Sequence, residues 1–433
     1  MPDRFPVIAA PGTAVFLAIK QENHAVGRDR AADLGHLIDL LHRYGAPHPQ
    51  TGATHFFTDL GKYQLKWEQH TEFVTYTLFG AGLSERAFDP AEFDMFPADW
   101  LAAMPGVRMT SALIRIETRP EAGTITERLQ KWFVPESLAV CRLLDDAAVL
   151  ASDFRIDPAG HLRLAMFASQ ELGTWRIGRV VQRFCEIETY KTMSMLGFSQ
   201  ARNMQSRMGE IDQNLTTLMA DMTSGASAAD ATLDALLSIS AELETLSAQS
   251  AFRFAATEAY EAIVAQRIDV LREQRFEGRQ TFGEFMVRRY DPAMRTVKST
   301  VLRLSTLADR AMRAGQLLRT RVDVERSAQN QALLESMDKR ADLQLRLQRT
   351  VEGLSVVAIS YYAVSIGGLS RLSVGRTIGS EQDNAELADN TAGCGDGVVG
   401  CAAYSQKFVT WAPPQAGRLT QGLGSVGKRR MVG

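Results

Sequence analysis

The sequence predicts an α+β amino-terminal domain, followed by long antiparallel helices of coiled-coil character and one transmembrane helix near the carboxyl end. Three observations carry this expectation. Runs that alternate apolar and polar residues dominate positions 1–170, the mark of half-buried strands. Over 171–350 apolar residues instead recur three and four apart, the period of a helix face. One stretch, VEGLSVVAISYYAVSIGGL at 351–369, just reaches the length that crosses about 30 Å of hydrocarbon. Residues 370–433 form a fourth region without sustained period.

The elements follow in order. An apolar run from Ala14 to Ile19 is too short for the core of a signal peptide, and Pro6 and Pro11 interrupt the segment before it. The bulk of the chain is therefore expected in the cytoplasm. Ala32, Leu34, Leu37, Ile38 and Leu41 mark an amphipathic helix over 28–44, with Gly45 as its stop. Tyr63, Leu65 and Trp67, a turn near Gln69, then Phe73, Thr75, Thr77 and Phe79 predict a hairpin. Further strands are expected at 107–117, 140–144, 148–156 and 162–167, the last two joined by the turn sequence Asp157-Pro158-Ala159-Gly160. Helix begins again near Gln170, with Leu172, Ile177, Val181, Phe184 and Ile187 on one face, and ADMTSGASAA at 220–229 is expected as a loop.

From Arg253 to Gln348 the helical pattern is interrupted by Pro292 and a few glycines. Val297, Val301, Leu304, Ala308, Ala311, Gly315, Leu318 and Val322 step by four and three, a seam of the coiled-coil kind. A second copy or a protein partner is expected on Val297, Val301, Leu304, Leu318 and Val322. The candidate span opens at Val351 and closes at Leu369, with Glu352 at its edge and Tyr361 and Tyr362 near its middle. It predicts contact with a lipid bilayer through residues 351–369.

Composition narrows the function classes. The 433 residues, 45% hydrophobic and 23% charged, are ordinary for a globular protein and exclude a fully disordered or collagen-like chain. A formal charge of −2 gives no global attraction to nucleic acid. The arginines of the helical region are interleaved with acids, which predicts a solvated helix face or an inter-helix ion network rather than a nucleic-acid surface. Four cysteines make no disulfide framework and fit a reducing compartment. Mean hydropathy of −0.13 excludes a polytopic transporter.

Motifs that carry chemistry are few. Glu68, His70 and Glu72 would share one face of an extended strand and offer two carboxylates and an imidazole to a metal, although the turn near Gln69 works against it. Cys141 and Cys185 fall on apolar faces and read as core. In the tail, Gly395-x-Gly397-x-x-Gly400 lacks the strand and helix that a dinucleotide fingerprint needs. The run from Gly422 to Lys428 resembles a P-loop, but Arg429 stands where Ser or Thr would bind magnesium. Cys394 and Cys401 have no histidine after His161 to join them as zinc ligands. No cofactor is expected.

Three blocks carry a family resemblance: KWEQHTEFVTYTLF at 66–79; DFRIDPAGHLRL at 153–164 with VQRFCEIETYKTMSML at 181–196; and RFAATEAYEAIVAQRIDVLREQRFEGRQTFGEFMVRRYDPAMRT at 253–296 with LLRTRVDVERSAQNQALLESMDKRADLQLRLQRTVEGLSVVAISYY at 317–362. Over about residues 5–364 the chain resembles a bacterial family of predicted membrane-anchored proteins, the domain of unknown function numbered three-four-two-two. The resemblance implies a soluble amino-terminal region, a helical region and a carboxyl-terminal anchor, hence a bacterial inner-membrane address, with no activity attached. Members resemble one another in ending with two hydrophobic segments and a basic tip. Here the likeness stops near Val364, which predicts a shifted reading frame behind the glycine-rich tail.

The function expected is a non-enzymatic, membrane-anchored scaffold or sensor. Two alternatives stand beside it. A CorA-type cation channel shares the layout, but its Gly-Met-Asn signature is absent. A metal-dependent enzyme in the amino-terminal domain would rest on His70 and its neighbours.

Overall fold

The structure, a computed structural model, describes residues 6–22, 27–224 and 229–374. The chain divides into two compact units, Met1–Glu335 and Ser336–Gly433. In the first unit, strands β1 (Gly12–Lys20), β2 (His55–Asp59), β3 (Tyr63–Gln69), β4 (Val74–Ala81) and β5 (Val107–Thr118) alternate with helices α1 (Arg30–Arg43), α2 (Ala98–Ala102) and α3 (Ala122–Trp132). Strands β6 (Ala139–Leu143), β7 (Ala148–Ser152) and β8 (Leu162–Ala168) lead into the long helices α4 (Thr174–Ser224) and α5 (Ala229–Leu271). The short strand β9 (Gln274–Arg275), helix α6 (Phe282–Arg289) and helix α7 (Asp291–Val374) follow.

Nine described strands make one sheet in the order β2-β3-β4-β1-β5-β8-β7-β6-β9. β5 and β8 run parallel and the other neighbours antiparallel. β1 lies inside the sheet, and all nine of its residues are buried. Strand alternation sends Val15, Leu17 and Ile19 into one core, with Leu37 and Leu41 of α1, Trp100 of α2 and Leu129 of α3. Ala14, Phe16 and Ala18 face the other core, with Ile177 and Phe184 of α4, Phe254 of α5 and Leu304 of α7. Each large side chain so buried contributes roughly 1.5–3 kcal/mol relative to exposure. Helical layers therefore cover both faces of the sheet.

Local chemistry sets several boundaries. Asp29 caps α1 by accepting from the amides of Ala31 and Ala32. Gly45, just beyond its end, takes φ of +61°. The strand expected over 148–156 stops at Ser152, and Phe154 then adopts φ of +50°. Thr281 and Glu284 form a reciprocal capping box at α6. Where α4 crosses α5, a Cβ on Gly197 would sit 2.1 Å from the Thr257 hydroxyl, so this approach depends on glycine.

The helical region uses several of its charges within itself. Arg303 and Arg310 of α7 both reach Asp212 of α4, and Arg321 donates to the Met222 carbonyl. The seam is also mostly internal. Val297, Leu304 and Leu318 are buried and Val322 is packed against the core, while Val301 is 42% exposed.

The transmembrane helix is a correction. Residues 351–369 do lie in helix α7, but no helix of the described residues is long and apolar enough to cross a membrane. Glu352, Gly353, Ser355, Ser360 and the tyrosine pair dilute the apolar run below what a span needs. In the second unit the described part of α7 exposes its large apolar side chains, Leu343, Leu347, Val351 and Leu354 among them. Of the loop expected at 220–229, positions 220–224 and 229 are helical and the rest lies outside the described residues, as does almost all of the tail for which a frame shift is expected.

Candidate functional site

The hairpin residues Glu68, His70 and Glu72 are divided by the turn that joins β3 to β4. Glu68, still in β3, lies with its Oε1 2.9 Å from Lys66 Nζ. The pair is close in distance, but Lys66 Nζ makes no well-directed hydrogen bond. His70 opens the turn. Its amide donates to the Phe73 carbonyl at 2.9 Å, and its own carbonyl accepts from Arg28. The imidazole stacks on Phe73 with ring centres 4.4 Å apart and stands 3.5 Å from the Tyr190 hydroxyl. Burial pulls His70 down to about 4 and pushes Tyr190 up to about 12.

Glu72 points elsewhere. Its carboxylate is buried, accepts from Arg253 at 2.5 Å and 3.3 Å, and accepts from the Tyr260 hydroxyl at 2.8 Å. Both partners belong to α5, so Glu72 ties the hairpin to that helix. The period-two argument would hold only for an unbroken strand. Among the described residues no group of three or more His, Cys, Asp or Glu is placed to hold a metal ion.

Behind the hairpin, Lys66, Glu68, His70, Gln182 and Tyr190 border a cavity of about 20 Å3. That is the room of a single water molecule, not of an organic substrate. Gln182 donates to Glu186 at 2.9 Å, and Glu186 accepts from Arg267 of α5 at 2.5 Å. These groups lock the hairpin, α4 and α5 together.

A larger concavity lies between α5 and the first turns of α7, about 590 Å3 in volume. Leu243, Phe254, Val297 and Leu304 form its apolar floor. Small residues of α5, Ser247, Ser250 and Ala251, keep it open. The Ser250 hydroxyl turns back to the Leu246 carbonyl at 2.7 Å and so presents little polarity to it. Val301 and Leu302 stand at the rim, the latter 68% exposed. Glu244, Glu258 and Glu261 make the rim acidic, against one cation, Lys298, which pairs with Glu261 at 2.8 Å. An apolar trough with charged edges suits the apolar face of a helix. The seam residues pointed to this region. The α5 wall, supplied by small residues, had no comparable signal.

A search of curated proteins and a search of solved structures each gave no match. A family model does match, and it runs past the point at which the sequence resemblance was placed as ending. Over residues 3–377 the chain fits the model described as protein of unknown function (DUF3422), and it belongs to that family.

Proposed function

We propose that this chain is a non-enzymatic cytoplasmic scaffold that associates with a second copy of itself through the α5–α7 groove. The observation that carries the reading is the pairing of two unsatisfied surfaces within one sequence. The groove is apolar with an acidic rim. Residues 339–349 of α7 hold four basic residues, Lys339, Arg340, Arg346 and Arg349, against one acid, Asp342. Leu343, Leu347, Val351 and Leu354 fall at helical spacing beside them and are all more than half exposed. This segment of one copy complements the groove of another in both apolarity and charge.

The free, buried thiols of Cys141 and Cys185 support a reducing compartment. The channel reading loses its ground, because it needs a span that no described helix supplies.

Light scattering after size exclusion tests the proposal. The expected result is a particle of twice the 47.7 kDa chain mass that becomes monomeric when Val301 and Leu302 are both changed to Glu. Both side chains are exposed, so the fold is expected to survive the change. A monomer at all concentrations, or a dimer indifferent to the two substitutions, would remove the reading.

A further inference from the structure

On the face of the sheet covered by α1, α2 and α3 lies a separate cleft of about 870 Å3, the size of a small-molecule site. Its cations come from three directions. The segment after β4 brings Arg86, α3 brings Arg128 and Lys131, and the sheet floor brings Arg115 of β5 and Arg163 of β8. Across the parallel pair Leu113 lies opposite Arg163 and Arg115 opposite Ala165, so alternation sets both guanidiniums on the same face.

The floor is built with care for orientation. Arg115 is only 9% exposed. Its Nε donates to Glu117 at 2.6 Å and its Nη1 to the Ser84 carbonyl at 2.9 Å, which leaves Nη2 free for a ligand. The guanidinium carbon lies 5.5 Å from the centre of the Trp132 ring, itself stacked on Phe167. The second oxygen of Glu117 accepts from Arg128, so one carboxylate aims two guanidiniums. Arg163 donates to the Trp132 carbonyl and to Asp153, each at 2.8 Å, while its buried Nε has no partner.

The inner cations are paired, Arg163 with Asp153 and both Arg115 and Arg128 with Glu117, so the unpaired charge lies at the rim. Five cations line the cleft against Glu85, Glu117 and Asp157. Glu117 is spent on Arg115 and Arg128, and Asp157 accepts from the amides of Ala159 and His161. At the rim, the Arg86 and Lys131 side chains make no ion pair or hydrogen bond among the described residues. Burial holds the Arg115 guanidinium below its usual value despite the pull of Glu92.

We propose that this cleft binds a small molecule through a phosphoryl group. Cations converging from three sides match the three outer oxygens of a tetrahedral phosphoryl group, whereas a planar carboxylate offers two oxygens in one plane. The remaining volume accommodates the body of an organic phosphate.

Calorimetric titration of the full chain with inorganic phosphate and with pyrophosphate, and with citrate as the polycarboxylate control, tests this. Saturable binding of one pyrophosphate per chain is expected, with phosphate weaker and citrate weakest. Changing Arg86 and Lys131 together to Ala removes two exposed, unpaired cations, so the melting temperature is expected to hold while pyrophosphate affinity falls about tenfold or more. Absence of saturable uptake of both phosphate probes would overturn the proposal. So would uptake unchanged in the double variant, or citrate bound as tightly as pyrophosphate.

Discussion

Removing the Glu72 carboxylate leaves the Arg253 guanidinium and the Tyr260 hydroxyl without their shared acceptor at a buried position. Breaking one side of a buried ion pair typically costs about 3–5 kcal/mol. Glu72→Ala is therefore expected to lower stability by that order in urea denaturation. The double variant with Arg253→Met is expected to lose much less than the sum of the singles. Additive losses would show that the two residues act separately. His70 gives a pH signature. Its folded value lies near 4, below the ordinary 6.5, so the unfolded chain takes up the proton first as pH falls. The contribution is fully present above pH 6.5, is lost progressively between 6.5 and about 4, and amounts to about 3 kcal/mol at most. His36 and His161, also lowered by burial, act in the same direction. His70→Asn is thus expected to flatten the pH dependence of stability in that window without abolishing it. An unchanged slope would contradict the buried placement of this imidazole. Neither role was legible in the sequence: the turn near Gln69 already spoke against Glu68, His70 and Glu72 as a ligand set, but the α5 partners of Glu72 and the burial of His70 come only with the fold.

Helix α4 meets α5 where Gly197 faces Thr257, and that contact is the sharpest steric constraint at the level of elements. Gly197→Ala improves helix propensity but drives a methyl group into the Thr257 side chain. Overpacking of this kind costs about 1–3 kcal/mol. A lowered melting temperature is expected, with recovery when Thr257→Ala is added. Stabilisation by the single change would mean that the helices stand further apart than described. At this scale much of the sheet was legible, including strands buried on both faces. The hairpin strands, β5, β8 and helix α1 were each expected within a few residues of where they lie. β1 was not, since its run of apolar residues carries no period. α3 and β2 also escaped notice, and β9 is a two-residue strand that no pattern could announce. The stretch 351–369 shows the opposite failure. Its length suggested a span, but its serines, glycines and tyrosines leave it short of the required apolarity.

Across the whole molecule, the two unsatisfied surfaces share helix α7, and only the groove needed a structure to become visible. The periodic seam of α7 was legible, yet most of it is consumed by the chain's own core, and Val301 with Leu302 remains at the edge of the groove. Self-association through that groove is the central claim, and a mixing experiment tests it most directly. One variant carries Glu244→Lys and Glu258→Lys at the groove rim, and the other carries Leu343→Glu and Leu347→Glu in the basic segment. Each alone is expected to be monomeric by light scattering. Mixed in equal amounts they are expected to form a heterodimer, because each supplies the intact half that the other lacks. If the rim variant alone remains a dimer, or if the mixture stays monomeric, the groove is not what holds two copies together.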